Sequence, residues 1–464
     1  MADTTQGAAT TGTGHLARTL SMWAIVGLGL GYMTPTVVFD TFGIVSEETG
    51  GVVPTSYLFA LVVMMFTAIS YGRMTRVFPS AGSAYTYTSE TMSPNLGFLI
   101  GWAALLDYLL LPLVNALIIR SYMFSFFPNA PEWIWVVVYA ALITTMCLVS
   151  MTNTSRVNMV LVVFEVVLIG VFLILAAKAL MDGMGNGTIL SLDPAWHEGV
   201  NLGHVITGAT IVAFSFIGFD AITMYTEEAK DASTVPRAIL LALLIGGTIF
   251  FVAAWFTQSL FPDTSGFTQE SLENSALPQI AFEVGGQLFK ILLTAAAFAA
   301  TVASSLASQS SVSRLLYVMG RNGRGPISRF FGYIHPTFQT PAYAIIFTGL
   351  VSMFAIGLNL DFVASLINFG ALIAFTFVNL TVIVYFAYRK RQVHTTKEIL
   401  RNIVLPGVGV MLTVLLWLYL SAESTRYGLI WFGIGILVLL WVTRFFKRPM
   451  NVKLGEEVPV TREG

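Results

Sequence analysis

The chain has 464 residues, of which 56% are hydrophobic and 11% charged, with a formal net charge of −1; an average soluble domain carries about 25% charged residues. That balance excludes a soluble globular protein and points to a polytopic membrane protein, while near-neutrality excludes nucleic acid as a partner held by bulk charge. The single Cys147 excludes a disulfide framework within the chain.

In chain order, Met1 to Gly14 is a polar Thr/Gly/Ala-rich tail without the cationic start and apolar middle of a signal peptide. Windows of about 20 apolar residues then fall near 21–45, 53–72, 96–127, 132–151, 157–181, 205–226, 237–261, 279–308, 341–358, 361–388, 402–421 and 428–446. Twelve spans put both termini on one side. Of the 24 Lys and Arg residues, only Arg120, Lys178, Lys290 and Arg426 fall on the other side. The positive-inside rule therefore predicts cytoplasmic termini. The opposite loops collect Glu47, Glu48, Asp182, Asp193, Glu198, Asp263, Glu270 and Glu273, an acidic rim that is either ordinary solvated loop or a mild attractor of cations.

Two spans in matching halves are interrupted. Span 1 runs through Gly27, Gly29 and Gly31 into Tyr32-Met33-Thr34-Pro35, then regains apolar character up to Asp40. Span 6 runs through Phe214-Ser215-Phe216-Ile217-Gly218-Phe219-Asp220. Glycine and proline loosen the hydrogen-bond ladder of a membrane helix, which is tolerated only where the freed backbone lines a cavity. Such a pair points to a secondary transporter with a substrate site near the bilayer midplane. The predicted organisation is a cytoplasmic tail (1–20), two inverted units of five spans (21–200 and 201–400), two additional spans (401–446) and a second tail (447–464). No Gly-x-Ser-x-Gly elbow, His-Glu-x-x-His pair or Gly-x-x-x-x-Gly-Lys loop speaks for an enzyme. No cofactor is called for, and the five histidines lack metal-ligand spacing.

The string Phe78-Pro79-Ser80-Ala81-Gly82-Ser83-Ala84-Tyr85-Thr86-Tyr87, followed by Gly97-Phe98-Leu99-Ile100-Gly101-Trp102, resembles the loop-plus-helix-3 signature of the amino acid, polyamine and organocation transporters. Within that superfamily the chain is most similar to bacterial putrescine importers. The likeness is carried by Phe39-Asp40-Thr41-Phe42-Gly43-Ile44-Val45-Ser46, Leu106-Asp107-Tyr108, Ile206 to Ile211, Ser313 to Arg321 and Leu366 to Ala371. It runs from about residue 20 to 450. The resemblance implies an all-α membrane protein of the leucine-transporter type with a five-plus-five inverted repeat, working by alternating access in a bacterial cell membrane. The implied cargo is a diamine, driven by an ion gradient, H+ ahead of Na+; the alternative within the superfamily is an amino-acid permease or exchanger.

The same resemblance assigns candidate roles. Amino-acid carriers of this type hold the substrate carboxylate on backbone N–H groups at the break of helix 1. Here Pro35-Thr36-Val37 stands at that place, and proline has no N–H to offer. A diamine needs instead carboxylates and aromatic faces. Asp220 at the break of span 6 is the first candidate, since an acid within the membrane is costly and should have a task; a structural acceptor between helices is the plainer reading. Tyr108, Thr34, Phe214 and Phe216 are expected around the same pocket. Asp40 is either a second ammonium partner or a helix cap. Glu165, between Val162-Val163-Phe164 and Val166-Val167-Leu168, is a candidate proton carrier or sodium ligand, with the hydroxyls of Thr301, Ser304 and Ser305 as further ion ligands; the plainer reading is a protonated acid bonded to a neighbouring helix. Glu227 and Glu228 are expected to form an inner gate in a charge network with Arg73, Arg314 or Arg321.

Overall fold

The computed structural model describes residues 20–79, 82–149, 154–226, 229–322, 326–338 and 340–445; both tails, Glu227 and Glu228 lie outside them. Among the described residues the regular structure is helical, apart from an isolated parallel bridge between Leu20 and Ala229.

Eleven described helices are long and apolar enough to cross a membrane: spans 1 to 8 are Met22–Asp40, Val53–Val77, Pro94–Phe126, Glu132–Val149, Met159–Met181, Leu202–Tyr225, Val235–Leu260 and Leu277–Tyr317, and spans 10 to 12 are Leu360–Arg389, Thr396–Leu418 and Ala422–Thr443. Span 9, Ala342–Ile356, is shorter. Pro341 precedes it and its last turn tightens into a 3-10 turn over Met353–Ile356. The twelve segments correspond to the twelve predicted windows.

Burial separates the spans into layers. The apolar windows of spans 1, 3 and 6 are 83%, 89% and 89% buried inside the protein, whereas those of spans 11 and 12 are 28% and 17% buried. The two interrupted helices and span 3 therefore form the centre, and the last two spans face outward. Span 12 is stapled to span 3 by a reciprocal pair: the Trp102 indole N–H donates to the Trp431 carbonyl (2.9 Å), and the Trp431 indole N–H to the Trp102 carbonyl (2.8 Å).

Both breaks have identifiable causes. In span 1 the helix Met22–Met33 stops where Thr34 turns left-handed (φ 49, ψ 87) and Pro35 cannot continue the ladder; a short helix Val37–Asp40 and the helix Phe42–Thr49 follow. Gly27, Gly29 and Gly31 lie inside the first helix rather than at the break. At Gly27 and Gly29 the absence of a side chain serves packing: a Cβ on Gly27 would run into Met159 in span 5, and one on Gly29 would come within 2.5 Å of Ile222 in span 6. In span 6 the helix Leu202–Val212 tightens into the 3-10 turn Ala213–Phe216, Ile217 is extended, and Gly218 takes φ +130 before the second 3-10 turn Ala221–Tyr225. A Cβ on Gly218 would lie 3.0 Å from both the Met33 nitrogen and the Tyr32 Cβ. The two breaks are thus pressed directly against each other.

Candidate functional site

The break of span 6 turns the Gly218 N–H back onto the carboxyl of Asp220, which follows two residues later. Asp220 Oδ1 accepts that N–H (3.2 Å) and Oδ2 accepts the Tyr108 hydroxyl (2.7 Å) from span 3. One residue before Tyr108, Asp107 is equally buried, each acid being 2% exposed. Its Oδ1 has no hydrogen-bond partner among the described residues, and the two acids act on each other electrostatically. Both line a narrow cleft with Tyr71, Tyr85 and Tyr108. No lysine or arginine is among its described lining residues. Tyr32, whose buried hydroxyl is also unpartnered, stands within electrostatic reach of both carboxyls.

Chemically, two buried acids ringed by phenols, with no lysine or arginine among the described lining residues, are suited to hold positive charge. At 4 Å and an effective dielectric of about 20, one carboxylate attracts one ammonium by about 4 kcal/mol, and tyrosine faces add cation–π attraction. The cleft is bounded by Ser83 and Ala84, between spans 2 and 3, and by Met224 and Leu315 at the ends of spans 6 and 8.

The break of span 1 offers nothing to an anion. Pro35 has no N–H, the Thr34 N–H is bound to the Leu30 carbonyl (3.0 Å) and the Val37 N–H to the Thr34 carbonyl (2.9 Å). The remaining one, on Thr36, donates to Glu165 Oε1 at 2.7 Å. Span 5 thereby places its own carboxylate on the backbone group that a substrate carboxylate would need.

The structure distributes the predicted residues over several places. Asp220 and Tyr108 meet in the cleft, together with Asp107 and Tyr71, which the sequence reasoning did not assign. Asp107 carried the same signal as Asp220, an acid in an apolar span, and could have been found by it. Tyr85 lines the cleft, whereas Trp102 faces span 12. Thr34 shapes the break of span 1 and does not line the cleft; Phe214 is buried at the first turn of the span 6 break and does not line it either. Phe216 packs edge-on against Phe250 (5.3 Å) beside Tyr57 (6.2 Å), away from the cleft. Phe219 backs its wall instead, against Tyr71 (5.9 Å) and Phe375 (5.4 Å).

Asp40 belongs to a different group, where its Oδ1 accepts the hydroxyls of Tyr122 (2.9 Å) and Ser275 (2.7 Å). The span 8 hydroxyls divide. Ser304 donates to the Tyr32 carbonyl beside the span 1 break and accepts from Asn115 (both 3.2 Å). Ser305 pairs with the Tyr139 hydroxyl (2.7 Å), and the Thr301 hydroxyl is turned back on the Ala297 carbonyl (2.7 Å). Arg73 donates to the Arg401 carbonyl (2.5 Å) and to Asn402 Oδ1 (2.6 Å) and lies over the Phe386 ring, so its described partners are in spans 10 and 11. The predicted partners Glu227 and Glu228 fall outside the described residues.

The amino acid permease family profile matches residues 20–441, and the chain belongs to that family. The low-affinity putrescine importer PlaP of Escherichia coli strain K12 is 44% identical over 437 residues, covering 94% of this chain and 96% of that protein. The branched-chain amino acid permease BcaP of Bacillus subtilis is 25% identical over 461 residues, covering 94% and 95%. The crystal structure of MhsT in complex with L-phenylalanine superposes with a TM-score of 0.61 at 16% identity, over 87% of this chain and 100% of that one. The protein is thus a multi-pass membrane transporter with a leucine-transporter fold, not an enzyme.

Proposed function

We propose that this protein imports putrescine, or a similar diamine, by proton-coupled symport with alternating access. The observation that carries the reading is the pair Asp107 and Asp220 in one tyrosine-walled cleft: two counter-charges for two ammonium groups. The span 1 break, with every N–H from Thr34 to Val37 already bound, supports a cargo without a carboxylate. The 44% identity to an importer of putrescine agrees with it. The setting is a bacterial inner membrane with both termini cytoplasmic. Spans 1–5 (21–200) and 6–10 (201–400) then work as two inverted units, and the cleft opens inward.

The test is uptake of labelled putrescine into proteoliposomes, with proton and sodium gradients imposed separately, and with ornithine as competitor. Ornithine is putrescine plus a carboxylate, so it is expected to compete poorly. Equal inhibition by ornithine and putrescine would overturn the diamine reading in favour of an amino-acid carrier, and accumulation driven by sodium alone would overturn the proton.

A further inference from the structure

The connection between spans 10 and 11 is confined to the membrane surface, because only residues 390–395 separate Leu360–Arg389 from Thr396–Leu418. Residues 389–401 carry five cations, Arg389, Lys390, Arg391, Lys397 and Arg401, against the single acid Glu398. All five are exposed. Glu398 is already engaged within the chain, where it accepts the N–H groups of His394 (2.8 Å) and Thr395 (3.3 Å) in a capping box. Among the described residues none of the five cations forms an ion pair. Arg389 donates to the Glu90 carbonyl (2.7 Å) and Lys390 lies over the Tyr385 ring (5.6 Å). The side chains of Arg391, Lys397 and Arg401 take no part in the hydrogen bonds among the described residues.

The shape of the connection is set without those charges. The Asn402 amide donates to the Gln392 carbonyl (2.6 Å), and its Oδ1 accepts from Arg73 of span 2 (2.6 Å). The N–H groups of Lys390 and Gln392 reach back to the Tyr385 and Phe386 carbonyls (both 2.9 Å). Widened, π-type turns thereby close span 10 over Ile383–Arg389 and open span 11 over Leu400–Val404; such turns recur at functional sites. The bond from Asn402 to Gln392 sets Arg401 beside Arg391 in the backbone. Lys397 and Arg401 stand four residues apart on the helical start of span 11, and like charges at that spacing repel. The fold thus gathers three cations that hold nothing in the protein and disfavour one another.

Apolar side chains are exposed beside them: Tyr388 at 80% and Leu400 at 52%, with Ile399, Ile403 and Val404. Cations above an apolar collar at the ends of two spans match one kind of molecule, a phospholipid whose acyl chains lie on the collar and whose phosphate sits among the cations. A zwitterionic headgroup brings its own cation into the cluster, whereas an anionic one does not. Clusters of four to eight Lys and Arg residues next to a span attract anionic headgroups, and guanidinium groups give phosphate paired, charge-assisted hydrogen bonds. Orientation by positive charge asks for cations on this side of the membrane, but not for a cluster of them left without an acid. We propose that the connection between spans 10 and 11 is a binding site for the headgroup of an anionic phospholipid of the phosphatidylglycerol kind, held by Arg391, Lys397 and Arg401. The site is separate from the cleft and independent of its cargo.

The test uses the full-length protein, titrated with phosphatidylglycerol in detergent and followed by native mass spectrometry, and placed in phosphatidylcholine nanodiscs with or without phosphatidylglycerol for hydrogen exchange. Each Lys or Arg near an anionic surface strengthens attraction by about fivefold, so Arg391→Gln, Lys397→Gln and Arg401→Gln together are expected to weaken phosphatidylglycerol binding on the order of 100-fold. In the wild type phosphatidylglycerol is expected to slow backbone exchange over residues 389–404, and in the triple variant to leave it unchanged. The variant's thermal midpoint in phosphatidylcholine is expected to equal that of the wild type; if it is lowered, Lys397→Gln alone replaces it, with about a fivefold loss of binding. Equal lipid binding by wild type and variant overturns the site. So does equal slowing at residues 329–338, which connectivity puts on the same side, because that pattern reports the bulk charge of the leaflet. Protection of 389–404 by glycerol phosphate in phosphatidylcholine nanodiscs would also overturn the proposal, in favour of a soluble phosphate ligand.

Discussion

Asp220 and Asp107 are bound differently, and that difference predicts different consequences of neutralising them. Asp220 is held by the Gly218 N–H and the Tyr108 hydroxyl; an asparagine there removes the charge and sets an amide against those donors. Removing one partner of a buried charge pair costs about 2–5 kcal/mol, roughly 30- to several-thousand-fold in affinity. Asp220→Asn is expected to lose putrescine binding to that extent, measured with labelled ligand on purified protein, and near-wild-type binding would remove Asp220 from the site. Asp107 keeps an unpartnered oxygen, so Asp107→Asn disturbs little besides the second counter-charge. The expected result is a loss for putrescine but not for butylamine, narrowing the preference for a diamine over a monoamine. Asp220 was legible as a candidate because an acid beside a helix break is conspicuous. Asp107 carried the same signal of an acid in an apolar span but was passed over, because in the string Leu106-Asp107-Tyr108 the tyrosine drew the reading; which acids of different spans face each other is shown by the fold.

Among the elements, the contact of the two broken helices is a tight constraint. Gly218 combines φ +130 with backbone and side-chain neighbours 3.0 Å from a would-be Cβ. Neither could be relieved without separating span 6 from span 1. Gly218→Ala is expected to cost about 1–3 kcal/mol, visible as a lower midpoint in thermal unfolding in detergent, and to abolish uptake because Asp220 loses its donor geometry. A variant with unchanged stability and uptake would mean that the contact is loose. Sequence placed both breaks within a few residues but misread the glycines of span 1. Gly27 and Gly29 reduce bulk where helices meet, while the interruption comes from Thr34 and Pro35. A glycine that allows close packing and one that allows a turn look alike until a partner helix is in place. The same limit applies to Arg73, whose described partners, Arg401 and Asn402, lie more than 300 residues away in sequence.

On the scale of the whole molecule, the cleft lies toward the first half of span 3, and at the far end of the same span Arg120 is the hub of a polar network. Its guanidinium donates to the Ala355 carbonyl (2.7 Å) and to Asn274 Oδ1 (3.3 Å), and its Nε lies 3.4 Å from Glu132. Asn274 and Ser121 in turn hold Glu270, at 3.1 and 2.7 Å. Spans 3, 4 and 9 and the loop helix Gln269–Glu273 are therefore joined through one side chain. Hydrogen bonds to a charged group contribute about 1.5–3 kcal/mol each, whereas the pair with the half-exposed Glu132 is worth less. Arg120→Ala should therefore raise the open population of the loop by at least about tenfold. The expected reading is faster backbone hydrogen exchange over residues 269–277, with no change around the Trp102–Trp431 staple, and a shift of the resting protein toward the outward-open state. Uniform acceleration in both regions would signal general destabilisation, and unchanged exchange at 269–277 would show that the loop is held by its contacts with span 1 alone.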